Sequence, residues 1–175
     1  TALAFSPDGR WLAWREGKQL WLRSLVDGRN RLLLAEHEHL GAFRWHPDGR
    51  SILFSWNTPF EAKDAKVKRL RGLEDRWKTW RDVAQLYQVD VDSGLVRPLT
   101  REDSSVSLQD IHADGDRLLL TQYLADYSAP PYGLVRVLEL FLSSGDAREI
   151  AKLRQANALR YADDGFWLVA GPGFA

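Results

Sequence analysis

The side chains able to do chemistry fall into a few short groups. Glu36-His37-Glu38-His39 sets two imidazoles and two carboxylates in one stretch, and these ligand types suit zinc. A solvated connection between two structural units is the weightier reading of so charged a run. His46 and His112 each stand two residues before an Asp-Gly pair, a shared placement that points to repeat architecture and not to a ligand pair. The segment from Lys63 to Arg81 is rich in Lys and Arg. Within it Arg76, Trp77, Trp80 and Arg81 are candidates for contact with a substrate or another domain. Asp64, Glu74, Asp75 and Asp82 offset its charge, which favours a solvated face or a domain contact over a phosphate site. Tyr123, Tyr127 and Tyr132, around Pro130-Pro131, are candidates for a peptide-binding rim, with loop packing as the plainer reading. A serine activated in a G-x-S-x-G elbow is absent: Ser104-Ser105 and Ser143-Ser144-Gly145 lack the flanking glycines. No catalytic residue is assigned, no metal site is assigned, and no cofactor is implied.

The elements that must position these groups are strands. Phe5-Ser6-Pro7-Asp8-Gly9-Arg10 precedes the apolar run Trp11-Leu12-Ala13-Trp14. The motif returns as Trp45-His46-Pro47-Asp48-Gly49-Arg50, as Ile111-His112-Ala113-Asp114-Gly115, and as Tyr161-Ala162-Asp163-Asp164-Gly165. Each copy is a strand end, an Asp-Gly turn that needs positive φ, and a second apolar strand. Gln19 to Leu25 alternates with a period of two, as a strand does. Four strands within residues 1–35, joined by glycine turns, describe one blade of a β-propeller. The expected plan is all-β: four-stranded antiparallel blades over 1–35, 41–100 and 106–153, and an incomplete one over 158–175. That is about three and a half blades of a larger ring, with open edges at both ends. Two insertions fall between second and third strands, residues 57–85 and 124–133. The first contains apolar positions Val67, Leu70, Leu73, Trp77 and Trp80 at helical spacing, interrupted by Gly72. Helix and extended hairpin both remain open for residues 61–82.

The chain has 175 residues, 45% of them hydrophobic, enough for one buried core. Lys and Arg number 24 against 24 Asp and Glu, and this balance weighs against a nucleic-acid partner. No apolar run is long enough to span a membrane. There is no Cys, so disulfides and thiolate metal sites are excluded and the redox compartment goes unrecorded. There is no Met either, and the chain is expected to be a piece of a longer protein. Its compartment, cytoplasmic or periplasmic, is left open.

Phe5 to Ala13, Leu20-Trp21-Leu22 and Trp45 to Arg50 resemble the Asp-Gly blades of TolB-like propellers. They also resemble the propeller domain of prolyl-oligopeptidase-family serine peptidases. Leu70 to Asp82, running into Gln85 to Val91, Ser93-Gly94 and Pro98-Leu99-Thr100, is similar to a segment of the acylaminoacyl- and dipeptidyl-type members. The resemblance implies a non-catalytic propeller that restricts and helps bind peptide substrates. Its partner would be an α/β-hydrolase domain of the same parent chain, bearing the Ser-His-Asp triad. The alternative is a TolB-like protein-binding scaffold with no enzyme attached, and a third possibility is a propeller lyase. His112-Ala113 and Ala162-Asp163 depart from the Ser-Pro of the better repeats, and the family's paired glutamates have no match. Both insertions are two–three loops, so alternating strand direction puts them on the face where the chain enters and leaves the propeller. A hydrolase domain is expected on that side.

Overall fold

The computed structural model describes residues 3–35, 38–59, 81–128, 130 and 132–171. Its first sheet contains β1 (Leu3–Phe5), β2 (Trp11–Glu16), β3 (Gln19–Ser24) and β4 (Asn30–Leu34). The second contains β5 (Leu40–Trp45), β6 (Ser51–Thr58), β7 (Val83–Asp90) and β8 (Val96–Pro98). The third contains β9 (Val106–Ile111), β10 (Arg117–Ala125), β11 (Gly133–Phe141) and β12 (Ala147–Leu153). A two-stranded hairpin, β13 (Ala156–Ala162) and β14 (Gly165–Ala170), follows. Each four-stranded sheet runs in chain order, every neighbour antiparallel. These are propeller blades, and among the described residues they do not close into a ring.

The repeated turns work differently from a tight two-residue hairpin. Gly9, Gly49 and Gly115 take φ of 69°, 68° and 78°, while Asp8, Asp48 and Asp114 do not enter the left-handed region. The aspartates instead accept the N–H two residues on: Arg10 at 3.1 Å, Arg50 at 2.8 Å and Asp116 at 2.9 Å. The expected role of Asp as a second positive-φ residue is therefore corrected; it is an acceptor that closes a longer connection. The fourth copy differs again, because Ala162 pairs directly with Gly165 and leaves Asp163-Asp164 as the turn.

Burial explains which strands lose their alternation. In β6, Ser51 to Phe54 are all buried. Ile52 and Phe54 face the first blade's Leu20, Leu22 and Ala13, while Leu53 faces the third blade's Val106, Leu118 and Leu120. Leu119, between Leu118 and Leu120, packs with Val137 and Leu159 on the opposite side. Blades stacked face to face bury both sides of a strand, and each fully buried Leu, Ile or Phe contributes about 1.5–3 kcal/mol. The two outward faces stay open: Phe5 is 62% and Trp167 74% exposed. Of the other tryptophans described, Trp45 is buried, and Trp14 stacks on Trp21 with ring centroids 6.1 Å apart.

Paired strands run further into each insertion than the sequence pattern suggests. Asn57 pairs with Ala84 and Thr58 with Val83, and Ala125 pairs with Gly133. The second connection is thus 126–132. The question of helix or hairpin over 61–82 falls, except for its last two residues, outside the described residues.

Candidate site at the seam between the second and third blades

A cavity of about 320 Å³ lies where the second blade meets the third. Its apolar lining is Leu53, Leu86, Val106 and Leu108, and its polar lining is Arg44, Ser55, Ser105, Ser107, Thr121 and Tyr123. Strand alternation places these groups. Ala42 and Arg44 on β5, Leu53 and Ser55 on β6, and Ala84 and Leu86 on β7 project from the side of the second blade that faces the third.

A buried glutamine holds the seam together. Gln85, 7% exposed, donates to the carbonyls of Glu102 at 3.0 Å and Ser104 at 3.2 Å. Its Oε1 accepts the Thr100 hydroxyl at 2.7 Å and the Glu102 N–H at 3.0 Å. Every polar atom of this amide is thus satisfied by the link between blades. Nothing in the sequence singled out Gln85, because a polar residue in a strand reads as outward-facing. At the opposite end of the seam His46, buried, places Nε2 2.6 Å from the Gly115 carbonyl.

Of the candidates named from sequence, Tyr123 reaches the cavity, half exposed on β10. Its hydroxyl donates to the Tyr132 carbonyl at 3.4 Å. Tyr132, with φ 63°, and Tyr127 sit exposed in the 126–132 loop. Asp126, bonded to Arg154 at 2.7 Å, anchors the start of that loop. Arg81 lies in a turn just before β7. Arg76, Trp77 and Trp80 lie outside the described residues, as do Glu36 and His37. Glu38 is ion-paired with Lys18, and His39 takes φ 69°. Among the described residues no three His, Asp or Glu gather as a metal site. No described helix is long and apolar enough to cross a membrane.

A second polar cluster sits between the third blade and the last hairpin, which the sequence reading missed. Glu139, 4% exposed, stands in the apolar run Val137-Leu138-Glu139-Leu140, and that break was its signal. It accepts from Arg148 at 2.6 Å and from the Tyr161 hydroxyl at 3.1 Å. Burial, then the Glu139 charge, push the Tyr161 phenol above its ordinary range. His112 meets the Tyr161 ring edge-on at 4.8 Å, and Arg117 lies over the same ring at 5.7 Å. The cluster is satisfied internally, so it reads as the polar seam of that blade pair.

No protein-family model matches the chain, and no curated protein matches it. Solved structures do. TolB from Acinetobacter baumannii is similar with a TM-score of 0.62 at 18% identity, over 100% of this chain and 38% of that one. Pyrococcus horikoshii acylaminoacyl peptidase is similar with a TM-score of 0.67 at 16% identity, over 87% of this chain and 24% of that one. Porphyromonas gingivalis dipeptidyl peptidase 4 is similar with a TM-score of 0.65 at 13% identity, over 97% and 29%. The chain spans well under half the length of each of these three. At such identities the likeness is one of fold alone, and that fold is a β-propeller.

Proposed function

We propose that the chain is the non-catalytic propeller segment of a prolyl-oligopeptidase-like serine peptidase, where it restricts access to short peptides and helps bind them. The observation that supports this reading is the cavity between the second and third blades. Its lining joins the apolar Leu53, Leu86, Val106 and Leu108 to hydroxyl-bearing residues, Tyr123 among them. A peptide needs such a mixture, since its side chains seek apolar surface and its backbone seeks hydrogen-bond partners. The α/β-hydrolase domain of the same parent chain would carry the nucleophile.

The test is to treat the protein carrying this chain with a fluorophosphonate probe and map the labelled peptide. Labelling of a serine outside these residues is expected. A folded protein that takes up no label would sink the peptidase reading. It would leave the second one, a TolB-like protein-binding scaffold, which the exposed Tyr127 and Tyr132 of the 126–132 loop favour.

A further inference from the structure

The first strands of successive blades share one sheet edge, and neighbouring first strands approach one another, β1 to β5 and β9 to β13. In a propeller this edge faces the central axis. Counting back from each turn glycine, the equivalent positions are Ala4, Arg44, Asp110 and Arg160. Three consecutive blades therefore set a cation, an anion and a cation side by side at one level of the axis.

The structure brings them together. Arg44 Nη1 donates to the Gln109 carbonyl at 2.8 Å, and Arg160 Nη1 donates to the same oxygen. Asp110 is next in the chain, with Oδ1 3.8 Å from Arg44 Nη1 and Oδ2 accepting the Tyr161 N–H at 2.9 Å. Two guanidiniums and one carboxylate leave the group with one formal positive charge in excess. Burial, then the neighbouring Arg160 cation, lower the Arg44 pKa, while Asp110 raises it. The Arg44 side chain is still 41% exposed, and it lines the 320 Å³ cavity.

We propose that Arg44, backed by Arg160, binds the C-terminal carboxylate of a short peptide whose last side chain enters the cavity between the second and third blades. A guanidinium presents paired donors matched to a carboxylate. Leu53, Leu86, Val106 and Leu108 supply the apolar surface beside it. The carboxylate neutralises the charge that Asp110 leaves over. This proposal rests on the peptide-handling reading above and adds to it a terminus, a polarity of binding and a preference for an apolar last residue.

The experiment compares N-acetyl-Ala-Ala-Leu with its C-terminal amide, by calorimetric titration into the protein carrying this chain. The acid is expected to bind about tenfold tighter or more, the size of a lost charge-assisted hydrogen bond. Arg44→Gln and Arg160→Gln should each erase that preference. Because Arg44 also braces the Gln109 carbonyl, Asp110→Asn gives a test that survives misfolding of the arginine variants: with the competing anion gone, the acid should bind more tightly than to the parent. Equal binding of acid and amide would overturn the carboxylate site and leave peptide binding intact. Failure of both peptides to bind a protein whose serine takes the fluorophosphonate label would overturn this site alone. Failure with no labelling would remove the peptidase reading with it.

Discussion

His46 Nε2 stands 2.6 Å from the carbonyl oxygen of Gly115, joining one repeat's turn to the next across 69 residues of chain. A carbonyl only accepts, so Nε2 is the donor in this contact. Nδ1 turns back to its own turn, 3.3 Å from the Asp48 N–H and 2.9 Å from Asp48 Oδ1. The same ring also limits the partner glycine: a Cβ on Gly115 would lie 2.7 Å from His46 Cε1.

His46→Ala should therefore cost about 1–3 kcal/mol, the penalty of a buried carbonyl left unpaired. Gly115→Ala should cost more than about 1 kcal/mol, because φ of 78° is strained for any side chain and the ring blocks the new methyl. The double variant should be less destabilised than the sum, by about 0.5–3 kcal/mol, since removing the ring removes the clash. Urea unfolding of the four proteins measures this, and strict additivity would show that ring and glycine do not constrain each other.

Asp114 yields a pH prediction. Burial works to raise its pKa, but the Asp116 N–H, the Arg117 guanidinium and His112 together hold it well below the ordinary carboxylate range. A group depressed on folding stabilises above its unfolded value and loses that contribution as pH falls through its folded one. The melting-temperature gap between the parent and Asp114→Asn should thus be full above about pH 5 and shrink steadily below about pH 4. With the side chain 42% exposed, solvent screening keeps the effect within about 1 kcal/mol. A gap that widened in acid would contradict this.

Tyr123 and Gly133 form a coupled pair at the cavity edge. A Cβ on Gly133 would meet the Tyr123 ring at 2.2–2.4 Å, at the ring's far end. That end can swing away, so Gly133→Ala should lower stability little while displacing the ring. Tyr123→Ala should change stability by about 0.5 kcal/mol or less, as exposed substitutions usually do. Under the peptide-handling reading both variants should weaken N-acetyl-Ala-Ala-Leu binding in the same direction. Peptide titrations alongside thermal melts separate the two effects, and unchanged affinity in both variants would remove Tyr123 from the site.

The blades themselves were legible in the sequence because a hairpin is a local object. Phe5 to Trp14 contains its own strand ends, its Gly9 with positive φ and its Asp8 acceptor. The alternation of Leu20 and Leu22 against Trp21 and Arg23 was visible for the same reason. So was the tyrosine-bearing loop after β10, whose neighbours along the chain mark it.

What stayed hidden required two blades at once. The cavity takes Leu53 and Leu86 from one sheet and Val106 and Leu108 from another, and no short window of sequence contains both walls. Gln85 reads as a polar strand residue until the link from Thr100 to Ser104 folds back over it. Arg44, Asp110 and Arg160 occupy equivalent repeat positions that the sequence displays, but the convergence of the two arginines on one carbonyl depends on how neighbouring blades stack. Local backbone chemistry determined the strands and turns by itself. The packing of one sheet face on the next decided which polar side chains meet, because that packing alone brings residues far apart in the chain within hydrogen-bonding reach.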